Sequence, residues 1–92
     1  PPLTFAEIDE GSFDCFCLAK EAARRGGTVC AAMNAANEEA VALYLQDIIG
    51  FYDISELVSR AMELPSVENP KLRDILNADK AARELVWSRF FR

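Results

Sequence analysis

The chain has 92 residues, 51% of them hydrophobic and 27% charged, and fifteen acids against ten bases give a net charge of −5. A chain this short makes one domain, buries only about 60 to 65% of its unfolded surface, and lies well outside the composition of disordered proteins. The excess of acids and the scatter of the bases exclude nucleic acid as a partner, and no apolar run reaches the roughly 18 to 20 residues of a membrane span.

Residues 1–11, "PPLTFAEIDEG", hold two prolines, a glycine and no sustained period, so an extended leader or linker is expected there. It lacks the basic and apolar regions of a signal peptide, which points to a soluble, cytoplasmic protein. "SFDCFCLAKEAARRGG" then predicts a first helix, capped by Ser12 or Asp14, with Cys15, Leu18, Ala19 and Ala22 on its inward face. Cys17 projects to the other side. Arg24 and Arg25 suit the negative end of the helix dipole, and Gly26-Gly27 supply a left-handed stop.

A second helix is expected from Thr28 or Val29 to Gln46, with Met33, Ala36, Ala40, Val41, Leu43 and Tyr44 covering about half its circumference or more. It reads as the central helix. A third starts in "YDISELVSRAMEL", with Asp53 as the cap, Glu56 as its reciprocal partner and Tyr52 stapled to Leu57. Ile54, Leu57, Val58, Ala61 and Met62 form its inward stripe, and Pro65 ends it. A fourth is expected to take Asn69 as its cap and Pro70 as its first residue. Its stripe is Leu72, Ile75 and Leu76 at first, then Ala82, Leu85, Val86 and Phe90, so a break is expected near Asn77 to Asp79. No segment alternates with period two. The expected fold is therefore all-α, a small four-helix bundle over residues 12–92 behind the leader.

The second helix carries "NAANEEAV". Asn37 falls in the expected apolar arc between Met33 and Tyr44, and Asn34 at its edge. A buried amide without a partner costs about 1 to 3 kcal/mol, so Asn37 is expected to bond neighbouring backbone and to matter more than Asn34. An amide does not titrate, so this is a structural reading, not a catalytic one. Glu38 and Glu39 diverge by about 100° on a helix and read as a solvated face, not a magnesium site. Asp79 and Arg83, four residues apart, are expected to form a local ion pair.

"RRGGT" lacks the first glycine and the lysine of a phosphate loop and follows a helix, so it reads as a stop and restart. Cys15, Cys17 and Cys30, with no histidine in the chain, build neither a disulfide framework nor a zinc site and read as reduced thiols. The commonest general base is missing as well. No catalytic, cofactor-binding or metal-binding residue is expected. "VWSRFFR" holds more aromatic area than one helix face hides, which suggests a docking or self-association patch.

The blocks "GGTVCAAMNAANEEAV", "IGFYDI" and "ILNADKAAR", with "LTF" and "FDCFCLAKEA" ahead of them, resemble the C-terminal domain of 1-deoxy-D-xylulose 5-phosphate reductoisomerase, in its order and spacing over nearly all of residues 3–83. The resemblance implies a helical bundle domain reached through a linker from the rest of the enzyme. The full-length family is implied to be a bacterial, cytoplasmic homodimer that uses NADPH and a divalent metal, Mg or Mn. It converts 1-deoxy-D-xylulose 5-phosphate to 2-C-methyl-D-erythritol 4-phosphate in isoprenoid precursor biosynthesis, the methylerythritol phosphate pathway.

The family's nucleotide site lies in an N-terminal Rossmann domain and its metal site in a central catalytic domain, so no cofactor or metal residue carries over to this chain. What carries over is Asn34 and Asn37, then Phe51, Asp53 and Ile54, then Ala78, Asp79, Ala82 and Arg83. Their implied role is structural. Asp14 and Cys30 stand where the family often has proline, and Cys17 where it usually has a polar side chain. The expected function is a non-catalytic domain supporting the catalytic and NADPH-binding domains of a reductoisomerase. The alternative is a free-standing helical protein-interaction module.

Overall fold

A computed structural model describes the backbone of residues 10–90 and the side chains of residues 16–89. Four helices follow one another: α1 (Glu10–Arg25), α2 (Val29–Leu45), α3 (Phe51–Met62) and α4 (Leu72–Phe90). The described residues contain no strand, and the fold class is all-α as expected. Most of the expected leader, and the side chains of Ser12, Asp14 and Cys15, lie outside the described residues. Helix α1 already includes Glu10 and Gly11, earlier than expected. One glycine costs a helix only about 1 kcal/mol, too little to delay its start against favourable neighbours.

Each connection has a local cause. Gly26 and Gly27 take φ of 69° and 61°, and the Gly26 N–H reaches the Ala22 carbonyl at 3.0 Å, ending α1. Helix α2 ends in a Schellman motif: the Ile48 N–H bonds Leu43 O at 2.9 Å and the Asp47 N–H bonds Tyr44 O at 3.0 Å. Asp47 occupies the left-handed position, φ 61°, that glycine usually takes.

Two helix starts differ from expectation in the same way. In α3 the cap is Gly50, and Asp53 sits three residues on, accepting the Gly50 N–H at 2.8 Å. In α4 the Lys71 N–H donates to Asp74 Oδ2 at 2.9 Å, Pro70 stays outside the helix, and Asn69 sits at φ 50°. A carboxylate at the third position both satisfies an orphan N–H and meets the positive end of the dipole, which makes it a strong start signal. Tyr52 points to solvent, so the apolar pair flanking the α3 start is buried Ile49 and Ile54.

Helices α2 and α3 run antiparallel, with the Tyr44 and Phe51 rings 5.6 Å apart edge to face at one end. Helix α4 runs parallel to α2, placing Asn77 and Ala78 beside Val29 and Ala32, and Arg83 and Trp87 beside Glu39. Helix α1 lies against α3 and α2, and among the described residues it does not touch α4. The result is a flattened body of 42 × 32 × 18 Å.

Alanines make up about half of the buried core: Ala22, Ala32, Ala35, Ala36, Ala40, Ala61 and Ala82 pack with Leu43, Leu57, Val58 and Val86. Small side chains let helices approach to the short end of the usual 8–10 Å spacing. The stripe expected on α3 is buried throughout.

Helix α4 departs from its expected register. It is one continuous helix with no break at Asn77 to Asp79. Leu72, Ile75 and Leu76 face solvent, while Ala82 and Val86 are fully buried. Turning Asp79 toward Arg83 keeps the carboxylate out of the core without interrupting the backbone.

Candidate functional site

Two polar assemblies tie the helices together, and both are built from the motif residues. The first lies at the start of α2. Thr28 is 2% exposed; its hydroxyl accepts the Val67 N–H at 3.0 Å and donates to Ser66 Oγ at 3.4 Å. This clasp holds the α3–α4 connection against α2. It requires Gly27, because a Cβ there would stand 2.6 Å from the Val67 carbonyl oxygen. The turn that superficially resembles a phosphate loop is therefore filled by protein backbone. A cleft of about 290 Å³ adjoins the clasp, lined mainly by Val29, Ala32, Met62, Leu64 and Val67 with Asp74 and Asn77 at its edge.

The second assembly centres on Arg83. Its guanidinium grips Asp79 side-on, Nε to Oδ1 at 2.7 Å and Nη2 to Oδ2 at 3.3 Å. It then crosses to α2, with Nη1 on Glu39 at 3.0 Å and Nη2 on Glu38 at 3.3 Å. The Trp87 indole N–H donates to the other Glu39 oxygen. The Asp79 hydrogen bond, opposed by desolvation and helped by Glu38, raises the Arg83 pKa above its ordinary value. The "NAANEE" and "ADKAAR" blocks are thus two halves of one inter-helix network.

That arrangement corrects one expectation. Glu38 and Glu39 diverge on the helix, yet both reach Arg83, because a guanidinium presents separate donors over a wide fork. Glu39 is half-buried, not a free solvated side chain. The Asp79–Arg83 pair forms as expected.

Asn37 corrects another. It was expected inside the apolar arc and bonded to backbone; it is exposed, as is Asn34, and neither amide bonds any described residue. It borders a crevice of about 120 Å³ with Ala19, Met33 and Val58. The cause is the rotation of α2: α4 covers the Ala32, Ala35 and Glu39 side, which turns the Asn34 and Asn37 side outward. Asp53 fulfils a capping role, from the third position instead of the cap itself.

The described residues do not fit a metal ion. No group of three or more His, Cys, Asp or Glu among them is placed to hold an ion. The three carboxylates that do converge already surround a cation, Arg83. Cys17 is exposed and Cys30 half-buried, both free. Val86 of the aromatic C-terminal run is buried and Trp87 is 40% exposed while bonded to Glu39; the Phe90 side chain and Phe91 lie outside the described residues. Among the described residues no helix is long and apolar enough to cross a membrane.

Sequence reading missed Thr28, Gly27 and Glu39 as structural centres. The signal for Thr28 was a hydroxyl directly after a double glycine at a helix start. No periodicity could reveal its partner 39 residues away.

Comparison with known proteins agrees with this assignment of motifs. The family model for the DXP reductoisomerase C-terminal domain matches residues 1–85. A curated relative from Caldanaerobacter subterraneus subsp. tengcongensis, named 1-deoxy-D-xylulose 5-phosphate reductoisomerase, is 43% identical over 98% of this chain and 24% of its own length. The protein of the same name from Acetivibrio thermocellus is 47% identical over 91% of this chain and 22% of its length. That from Synechococcus sp. (strain JA-2-3B'a(2-13)) is 51% identical over 88% and 21%. The chain therefore spans about a quarter of the length of the relatives it matches. No solved structure matches it. With four helices tied through the "GGT", "NAANEE" and "ADKAAR" blocks, and relatives that agree over nearly its whole length, the chain belongs to the family of DXP reductoisomerase C-terminal domains.

Proposed function

We propose that the chain serves as the non-catalytic C-terminal helical domain of a 1-deoxy-D-xylulose 5-phosphate reductoisomerase and buttresses that enzyme's catalytic domain. The parent polypeptide isomerises and reduces 1-deoxy-D-xylulose 5-phosphate to 2-C-methyl-D-erythritol 4-phosphate, feeding isoprenoid precursor biosynthesis. It uses NADPH and a divalent metal, Mg or Mn, held by its other domains, and works as a cytoplasmic homodimer. Residues ahead of Glu10 serve as the linker from those domains, and the bundle runs from α1 (Glu10–Arg25) to α4 (Leu72–Phe90). Asp53, Asp79 and Arg83 act structurally: Asp53 anchors the start of α3, and Asp79 orients Arg83, which ties α4 to Glu38 and Glu39 of α2.

The observation that carries this reading is a family match over residues 1–85 to a domain that occupies about a quarter of each relative. The chemistry of the chain agrees: it has no histidine, and its convergent carboxylates are spent on Arg83. The alternative, a free-standing interaction module, leaned on the aromatic end, where Val86 is now core and Trp87 is engaged with Glu39.

The test is the size of the native polypeptide, detected in an extract of the source cells with an antibody raised against this chain. A band about four times heavier than 10.2 kDa is expected from the relatives' lengths. A band at 10.2 kDa would overturn the proposal. Calorimetry of the isolated chain with NADPH should show no binding, and a stoichiometric heat would overturn its non-catalytic assignment.

A further inference from the structure

We infer that the outward stripe shared by α2 and α4 is the surface on which the preceding part of a reductoisomerase polypeptide docks. The inference rests on the function proposed above.

Helix α2 buries Val29, Ala32, Ala35, Ala36, Ala40 and Leu43, and its outward side mixes polar Asn34 and Glu38 with apolar Leu45. Helices α1, α3 and α4 cover three sides. The fourth stays open. Along it Asn34, Glu38 and Leu45 recur at i, i+4 and i+11, which keeps them on one face. Leu72, Leu76 and Arg83 repeat that same spacing on α4. The Glu38–Arg83 pair, 3.3 Å apart, joins the two stripes into one surface. Its ends are apolar and open: Leu45 is 73% exposed, Leu72 71% and Leu76 59%. Its middle is polar, with the Asn34 amide bonded to no described residue.

Those leucines explain why the first half of α4 departs from its expected register. The sequence gives Leu72, Ile75 and Leu76 the pattern of a buried stripe, and the domain leaves that stripe uncovered. The occupant follows from length and charge. About three quarters of each relative lies outside the matched region, and the family places this domain at the C-terminal end, so the missing chain precedes it. Glu38, Glu39 and Asp79 outnumber Arg83 at the centre, so the docking segment carries a basic side chain there and apolar ones at both ends. A second copy of this domain fits poorly, because a twofold contact would set the acidic centre against itself. The 42 × 32 Å broad side leaves ample room for the roughly 600–1,500 Å² of an inter-domain contact.

The test is thiol footprinting of the full-length polypeptide. Leu72→Cys, Leu76→Cys and, as reference, Tyr52→Cys on α3 are each alkylated with iodoacetamide under native conditions. Tyr52 matches Leu76 in the isolated domain, both 59% exposed. Circular dichroism first confirms that every variant is folded. Labelling at 72 and 76 is expected to be at least about tenfold slower than at 52, since a thiol shielded by docking reacts only when the contact opens. Equal rates at the three positions overturn the inference and leave the proposed function standing. Protection that disappears on dilution overturns it in favour of a second copy. A source protein no longer than this chain overturns both.

Discussion

Replacing Thr28 by valine tests the clasp with little change of shape. The two side chains are nearly isosteric, so no cavity forms, and the loss is confined to one hydroxyl. That hydroxyl accepts the Val67 N–H at 3.0 Å from a position 2% exposed. A net hydrogen bond is worth about 1 kcal/mol, and stranding a buried donor costs up to about 3. Val67 itself is partly exposed, so water relieves some of the penalty and roughly 1 to 2 kcal/mol is expected. A chain of this size has only roughly 5 to 14 kcal/mol of stability, so the thermal midpoint should fall by roughly 5 to 12 °C. Circular dichroism melts of the purified chain read this directly, and urea melts should show a lower midpoint with an unchanged slope. Ser66→Ala, which removes only the 3.4 Å contact, should shift the midpoint much less. A fall of under about 2 °C for Thr28→Val would refute the claim that the clasp holds the α3–α4 connection.

Arg83→Met should cost about 1 to 2 kcal/mol, because three partly exposed carboxylate contacts are lost together. The gap from wild type should narrow in 1 M salt (about 3 Å of screening length), and a salt-independent gap would mean packing, not charge, dominates. Asn37→Leu and Asn34→Ala should each move stability by no more than about 0.5 kcal/mol in the isolated domain; a much larger loss for Asn37 in urea denaturation would restore the buried-amide reading. Asp47→Gly, at φ 61°, should raise the midpoint by the equivalent of about 0.5 to 1 kcal/mol, and an unchanged melt would count against strain there. Glu21, hydrogen-bonded by Arg24, has its pKa lowered from 4.5. A depressed carboxylate stabilises above its unfolded pKa and loses that contribution as pH falls through the folded one. Wild type should therefore exceed Glu21→Gln in thermal midpoint at neutral pH, and the difference should vanish on acidification below 4.5. Arg83, raised from an already high value, adds no pH dependence of its own at any ordinary pH.

What the sequence by itself determined were the local signals and the family. The double glycine had to end α1, because two successive left-handed residues cannot continue a right-handed helix. The α3 stripe had a single apolar face and so a single way to turn. The motif blocks were legible as a reductoisomerase C-terminal domain before any contact was known. Tertiary structure decided the rest. Helix α2 carries apolar residues on most sides with polar ones between them, so periodicity does not fix which side faces whom; the arrival of α4 on the Ala32 and Glu39 side sets that rotation and turns Asn37 outward. Gly50 and Lys71 as caps depend on carboxylates three residues downstream, competing with Asp53 and Asn69 on energies too close for sequence to rank. The Thr28–Val67 clasp and the Glu39–Arg83 bridge join residues 39 and 44 positions apart. Such pairings leave no periodic trace in the chain, because they exist only once the helices have packed.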